Sequence, residues 1–560
     1  MTNSDIISTF ELTAKLLELH GGDEMRIKAF TNANYNLERY AGELQQLNYT
    51  QLTQIQGVGK MIASSIIELV ENGTLKTLEE LYQNTPEGVI EMFKIKGLGV
   101  KKIKVLWNEL GIDNLNELQI ACENGTIAKT KGFGEKTQLS ILESLVFIQS
   151  QAGKLRMNKA HELSQDILEI LETLYPKVAE TGQVRRNCEE IDTLQFLVTF
   201  SDFPKITLNP ELFIQDKKAS NPFCWRGKFM NQSIDIEIIF VEESKFNNQL
   251  LLTSANELHL KIKNEQGQTL LGLANKNTFD SESAIYERYG SAYIVPEMRE
   301  GWGEFDWAKK HAVEDLVTYE SLKGILHNHS TYSDGRHTLR QMAEFCKSLG
   351  FEYFGIADHS QTATYANGLL ISKVMQQHEE IDKLNTELAP FKILKGIESD
   401  ILNNGSLDYP DEVLASFDYI VASVHSNLSM NLEKATERII KAVENPYTTI
   451  LGHPTSRLLL SRKGYPLDFK KVIDACAANG VVMEINASPY RLDIDWRWIQ
   501  YCLEKGVMLS INPDAHEMEG FFDMHYGVAV ARKGGLLKEM TFNALSLGTI
   551  QEKLNAKQRI

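Results

Sequence analysis

The chain has 560 residues, 43% hydrophobic and 24% charged, with a formal net charge of −17. At roughly 150 residues per domain this length predicts about four domains, and the composition excludes a collagen-like, low-complexity or disordered polymer. The acidic balance excludes a nucleic-acid coat over the whole surface but not a local basic site, and no run of about 18 apolar residues offers a membrane-spanning helix.

The opening Met1-Thr2-Asn3-Ser4-Asp5 has neither the basic start nor the apolar stretch of a secretory signal. The six cysteines are scattered without a C-x-x-C pair, so the expected setting is cytoplasmic, with reduced and mostly buried thiols. Residues 1–150 read as helix after helix, with Ile6, Phe10, Leu12, Leu16 and Leu17 on one apolar face. A G-x-G turn recurs there: Gly57-Val58-Gly59, Gly97-Leu98-Gly99 and Gly132-Phe133-Gly134, each expected between two helices. Glycine permits the positive φ of a tight turn and a close approach, and the amides opening the next helix favour an anion such as a phosphate. The three copies resemble helix-hairpin-helix motifs, which hold DNA backbones without reading sequence. That resemblance implies Gly57, Gly59, Gly97, Gly99, Lys101, Gly132 and Gly134 as DNA-binding positions. Lys94, Lys96, Lys101, Lys102 and Lys104 add a local basic patch.

From 151 to 250 strand-like runs appear, at Leu194 to Phe200 and Ile234 to Val241, followed by a polar stretch over 261–290. From 321 onward, short apolar runs alternate with amphipathic helices, which predicts a parallel α/β sheet or barrel. Seven of these runs end in polar residues: His327-Asn328-His329, Asp358-His359, Glu398, His425, His453-Pro454, Glu484-Ile485-Asn486 and Asp514-Ala515-His516. In a closed β/α barrel such ends share one rim, where active sites sit.

The run from His327 to Gly335, with Ala357-Asp358-His359, Gly396-Ile397-Glu398, Ser423-Val424-His425-Ser426, Gly452-His453-Pro454 and Asp514-Ala515-His516, resembles the polymerase and histidinol phosphatase (PHP) domain in its order of motifs. The resemblance implies a distorted (β/α)7 barrel and three divalent metal ions (Mn, Zn or Fe, with Mn for activity). His327, His329, Glu398 and Asp514 would hold the first ion. Glu398 would bridge to the second with His425 and His453, and Asp334, His359 and His516 would hold the third. Imidazole and carboxylate without thiolate suit such ions, which can supply a metal-bound hydroxide near neutral pH for hydrolysis of a phosphate ester. Arg457 and Arg462 are candidates for the substrate phosphate, and Glu484 and Asn486 for support of the ligands. His337 and His378 are expected to face solvent.

The whole chain resembles bacterial family X DNA polymerases that carry a C-terminal PHP domain. Thr181-Gly182-Gln183-Val184-Arg185-Arg186 resembles the family's nucleotide-binding segment, and Ile294-Val295-Pro296-Glu297-Met298-Arg299-Glu300 the join into the PHP domain. The expected multidomain order is a helical DNA-binding domain (1–82), a fingers-like helical domain with two more hairpins (83–150), an α+β nucleotidyltransferase-like palm (151–250), a thumb remnant and linker (251–315) and the PHP domain (316–560). Where the family places Asp-x-Asp, an ungapped count gives Thr193-Leu194-Gln195, with Asp235 retained as a palm remnant; a two-residue shift would offer Glu190 and Asp192 instead. Ser65 stands where eukaryotic relatives carry a Schiff-base lysine, so no lyase acts through that position. The expectation is a monomeric, metal-dependent 3′–5′ exonuclease acting on gapped, nicked or 3′-recessed DNA in repair, with polymerase activity lost. The alternatives are an active repair polymerase with a proofreading PHP domain, a small-molecule phosphomonoesterase resembling histidinol phosphatase, and a silent DNA-binding scaffold.

Overall fold

The computed structural model describes residues 1–560 except 2, 41, 96, 201–207 and 558–560, and it divides into two compact units, Met1–Ala152 and Gly153–Ile560. Lys96 of the predicted basic patch lies outside the described residues.

The first unit is helical, and its G-x-G turns repeat one construction. Gly57, Gly97 and Gly132 take positive φ of 80°, 85° and 92°. Gly59, Gly99 and Gly134 each precede a helix, Lys60–Asn72, Val100–Asn108 and Glu135–Gln151, none with a side-chain cap. The middle residues Val58 and Leu98 are buried in the unit's core, and Phe133 packs against it. Gly59 and Gly99 have ordinary φ, and a Cβ on either would meet nothing within 4 Å. Among the described residues no contact therefore requires glycine there, whereas a close external partner would. The third turn differs, because Gly134 itself has φ of 89°. Lys94, Lys101 and Lys104 are exposed around the second turn, and the Lys102 Nζ lies 5.7 Å from the Phe133 ring centroid.

In the second unit a five-stranded mixed sheet runs in spatial order Val178–Thr181, Thr193–Thr199, Asp235–Val241, Cys224–Phe229 and Phe213–Gln215. Leu194, Phe196 and Val198 alternate onto the face that meets Ala160, Ile167 and Leu171 of helix Met157–Leu174. Leu197 packs with Val241 and Phe246, where helix Phe246–Ser254 begins. Helices Phe246–Ser254, Glu257–Lys261, Leu270–Lys276 and Glu282–Tyr289 contribute to a separate core around Leu251, Leu270, Ile285 and Tyr286.

Short strands Leu155–Arg156 and Glu190–Ile191 pair antiparallel, and the strands of the C-terminal barrel are all parallel: Gly324–Ile325, Tyr353–Gly355, Lys392–Leu394 continued by Gly396–Asp400, Tyr419–Ser423, Ile450–Leu451, Val482–Asn486 and Leu509–Asn512. A parallel bridge between Asn328 and Ala515 joins the first strand's end to the last, so the expected seven-stranded barrel closes. Leu326, Tyr353, Leu394, Tyr419, Val421 and Ile450 share a cluster with Phe542, Ile550 and Leu554 from the C-terminal segment. The barrel is thus a packed core whose polar groups gather at one rim. His337 and His378 are buried rather than solvent-facing. His378 lies on the face of Ile371–Glu387 that also buries Val374 and Ile381, against Phe417, and burial pushes its imidazole down to about 4. The His337 Nδ1 accepts from the Met518 amide.

Palm-like sheet and barrel are joined by buried charge. Glu300 accepts from Arg186 Nε at 2.9 Å and from Lys533 Nζ at 2.5 Å, and the Lys533 side chain is 1% exposed. Burial works to raise the Glu300 carboxyl, but the Lys533 and Arg186 charges outweigh it and hold it at about 2, below the ordinary 4.5. The stability this lends is complete above about 4.5 and is lost as pH falls toward 2. Removing the carboxylate strands two buried cations, so Glu300→Ala is expected to cost about 3–5 kcal/mol at pH 7. The difference from the parent chain should shrink at pH 3, as read by urea unfolding.

Candidate metal centre

The side chains of the rim cluster are carried at or just beyond the C-terminal ends of barrel strands, except Asp334, which sits on the loop after the first strand. Glu398 lies within strand Gly396–Asp400, and His425 and His453 follow Tyr419–Ser423 and Ile450–Leu451. His327 and Asp514 sit in left-handed backbone, with φ of 57° and 54°, an uncommon conformation for such residues that turns them at the strand ends. The segment between His327 and Gly335 is fixed from behind by Asp358. This buried carboxylate accepts from Ser330 N at 2.7 Å, Ser330 Oγ at 2.8 Å, Ser333 Oγ at 2.5 Å and Gln377 Nε2 at 2.6 Å. A Cβ at Gly335 would lie 2.5 Å from the His329 carbonyl oxygen, so the turn closes only with glycine.

Glu398 is the hub. Its carboxylate stands 3.2 Å from His327 Nε2, 3.1 Å from His425 Nε2, 3.0 Å from His453 Nε2 and 2.9 Å from His359 Nδ1. Four groups of potential ligand atoms, each within 4.8 Å of one another, overlap here: His329, Asp334, His359 and His516; His327, His453 and Asp514; His327, His329 and Glu398; His359, Glu398 and His425. All nine residues singled out in the sequence therefore meet in one cluster. Despite these close approaches, His327 Nε2, His329 Nδ1, His359 Nδ1, His453 Nδ1 and Glu398 Oε2 are buried without a well-aligned hydrogen bond among the described residues. Buried unpartnered donor atoms on imidazole and carboxylate, with no thiolate among them, fit divalent cations.

Supporting bonds aim these ligands. Glu484 Oε2 holds His327 Nδ1 at 2.6 Å and accepts from Asn512 Nδ2 at 2.9 Å, which leaves His327 Nε2 for the cluster. Asn486 Nδ2 donates to Asp514 Oδ2 at 3.1 Å. Asp400 holds His425 Nδ1 and also accepts from Thr362 Oγ1 at 2.7 Å. The sequence reading missed Asp400, although it stands two residues after Glu398 on the same strand, a spacing that puts both on one face. The two arginines expected to bind phosphate have other work. Arg457 donates to the Arg491 and Leu492 carbonyls and to Asp495 Oδ2 at 3.1 Å, and Arg462 donates to the Ser456 carbonyl. Arg457 is corrected to a loop brace, because all three of its nitrogens are engaged. Arg491, also missed, lies beside the cluster, with Nε 3.6 Å from Asp514 Oδ2.

On the palm-like sheet, strand Thr193–Thr199 runs parallel to Asp235–Val241, with Thr193 beside Asp235 and Gln195 beside Glu237. Gln195 Nε2 donates to Glu237 Oε2 at 2.7 Å, Arg226 Nε to Glu237 Oε1 at 2.5 Å, and Lys228 pairs with Asp235 at 2.8 Å. Glu190 belongs to a separate pairing with Arg156, and Asp192 is exposed, its carboxylate accepting from Thr193. Arg185 is held by Glu282 through two nitrogens, at 2.9 and 2.6 Å.

The chain is 34% identical to the DNA polymerase/3′-5′ exonuclease PolX of Bacillus subtilis (strain 168), covering 98% of this chain and 99% of that protein. It belongs to the PolX family. Models of a Helix-hairpin-helix domain, a SAM-like Helix-hairpin-helix tandem and a PHP domain match residues 1–75, 89–145 and 326–488. The barrel is also similar to proteins named "Probable phosphatase". One from Thermoanaerobacter sp. (strain X514) is 27% identical over 42% of this chain and 97% of its own, and one from Acetivibrio thermocellus is 29% identical over 34% and 78%. The chain is thus a PolX-type protein with DNA-binding helical hairpins and a PHP domain of the hydrolase or phosphoesterase kind. Among its described residues, no helix is long and apolar enough to cross a membrane.

Two imidazoles of the cluster are drawn toward their protonated forms by neighbouring carboxylates, and a cation binding there competes with those protons. Burial acts to lower His425 and His516, but Glu398 and Asp400 around the first, and Asp334 and Asp514 around the second, bring them to about 10 and about 9. Metal-ligating nitrogens must be deprotonated, so Mn²⁺ uptake at pH 7.5 is expected to release on the order of two protons, and affinity should fall as pH falls. Calorimetric titration in two buffers of different ionisation enthalpy reads the proton count.

Proposed function

We propose that the barrel rim is a metal-dependent phosphodiesterase that removes nucleotides from DNA 3′ ends, and that the palm-like sheet no longer polymerises. The carrying observation is the nine-residue rim cluster with its buried, unpartnered donor atoms. The helical hairpins in the same chain favour DNA over a free phosphomonoester, and the 3′–5′ direction is taken from the activity named for the Bacillus relative. We assign His327, His329, Glu398 and Asp514 to one ion, Glu398, His425 and His453 to a second, and Asp334, His359 and His516 to a third. When bound, such ions supply Lewis acidity to a phosphate and lower the pKa of a coordinated water. The chain's own part is orientation. Glu484 and Asp400 keep His327 and His425 in the tautomer and rotation that point Nε2 inward, and Asn486 steadies Asp514. The substrates are gapped, nicked or 3′-recessed duplexes met in repair, and the five segments bounded near 82, 150, 250 and 315 divide the labour of holding them.

Glu398→Ala is expected to lose bound metal and reduce hydrolysis of a 3′-recessed duplex to background, while duplex binding persists. Asp400→Asn, which keeps the shape but weakens the hold on His425, should cost about 10–100-fold in metal affinity. Metal analysis and a nuclease assay with Mn²⁺ check both, and hydrolysis surviving in Glu398→Ala would refute the rim as the site.

Nucleotidyl transfer uses two adjacent divalent ions, whose repulsion at about 4 Å is on the order of 10 kcal/mol even at an effective dielectric of 20. Thr193 and Gln195 offer no charge against it, and Asp235 and Glu237 already face Lys228 and Arg226. No templated primer extension is expected with Mg²⁺ or Mn²⁺, even in Asp514→Ala, whose disabled nuclease cannot mask synthesis. Extension by that variant would reinstate a polymerase.

A further inference from the structure

The loop after strand Val482–Asn486 carries an arginine whose position bond counting does not explain. Arg491 Nη1 is buried and has no hydrogen-bond partner. Its Nε is 3.6 Å from Asp514 Oδ2, an ion pair beyond hydrogen-bond reach. Asp514 is served elsewhere, by His329 Nε2 on Oδ1 and Asn486 Nδ2 on Oδ2, both at 3.1 Å. A guanidinium has five N–H donors in a fixed fork; Arg491 is partly exposed, and its buried Nη1 donors are left for a ligand to accept from. The group that such a fork matches is a carboxylate or a phosphate, and beside a centre that cleaves phosphodiesters the phosphate is the fitting one.

The loop does not stand alone. Arg457 clamps its Arg491 and Leu492 carbonyls, and Leu459 N donates to the Tyr490 carbonyl at 2.7 Å. Leu492 is held at φ of 43°, a conformation a leucine adopts only when its surroundings impose it. The neighbouring Tyr490 ring lies beneath a guanidinium from the palm side, Arg156, at 3.9 Å. Arg156 ends the short strand Leu155–Arg156, whose partner Glu190–Ile191 belongs to the segment following the former nucleotide loop.

We propose that Arg491 binds the non-bridging oxygens of the scissile phosphate, and that the palm, through Arg156 on Tyr490, holds the Arg491 loop in place. This rests on the rim being the phosphodiesterase site. Arg491 is the substrate-contacting group, and Arg156 is a positioning residue that acts through Tyr490.

The test titrates inorganic phosphate into the Mn²⁺-loaded full-length chain by calorimetry, with metal content and 3′-recessed duplex hydrolysis measured on the same samples. Loss of a charged hydrogen-bonding fork predicts about 10–100-fold weaker phosphate binding in Arg491→Gln, with metal content unchanged. Arg491→Lys should retain part of the affinity, since it keeps the charge without the fork. Arg156→Ala, remote from the ligands, should weaken phosphate binding several-fold and raise KM more than it lowers kcat. Unchanged phosphate affinity in Arg491→Gln would overturn the proposal. So would loss of metal from both Arg491 variants, because the arginine would then serve Asp514 rather than substrate. Unchanged affinity and KM in Arg156→Ala would remove the palm from it. If the parent chain itself fails to hydrolyse the duplex, the rim reading fails first, and the two failures are distinguished.

Discussion

A carboxylate with no exposure, Glu398, sits among the imidazoles of His327, His359, His425 and His453, all within 3.2 Å. Ionised carboxylates are very costly to bury unless compensated, so this arrangement constrains everything around it. Burial acts to raise the Glu398 carboxyl, but the charges of His425, His327 and His359 outweigh it and hold it well below the usual carboxylate range. The compensating groups come from separate strands, which must therefore end at the same height. A parallel barrel meets that condition, because its strand ends share a rim and its interior below can be filled with apolar side chains such as Leu326, Val421 and Ile450. The strained backbone of His327 and Asp514 is tolerated where that packing and the Asp358 network hold it.

Most of the cluster residues were legible in the sequence because they follow short apolar runs, and polar side chains repeated at strand ends are a local signal; Asp334, on the loop beyond His329, was marked by the family resemblance instead. The barrel was legible for the same reason, from the alternation of runs and helices. Groups whose role depends on folding back were not. Arg457 and Arg462 follow His453-Pro454 and look poised for phosphate, yet Arg457 turns into its own loop to engage carbonyls that no sequence pattern marks. Arg491 occupies the place that chain proximity suggested for them, because the loop carrying it returns to Asp514. His378 was misread since a helix heavy in charge still buries one face, and a histidine on that face stacks edge-on to Phe417.

In the palm-like sheet, the folded register sets Thr193 and Gln195 beside Asp235 and Glu237. What the sequence could not give was the neighbouring strand. Cys224–Phe229 brings Arg226 and Lys228 against those carboxylates, so the face carries its own counter-charges. Likewise Arg185 and Arg186, in a segment resembling a nucleotide-binding one, are occupied by Glu282 and Glu300. Both arginines meet carboxylates of the adjoining segments.

These pairings hold the sheet that carries Thr193 and Gln195 in its place. Arg186 and Lys533 share Glu300 at low exposure. A buried pair of this kind contributes little net stability over an apolar core, but losing one member is severe, so it fixes geometry more than it adds stability. Fixed geometry is what a metal-dependent site requires of its surroundings, since ligands and substrate groups displaced by 1 Å lose much of their effect. The joint between sheet and barrel is therefore under the same constraint as the rim: both are networks of buried charge, and neither can shift one member without exposing another.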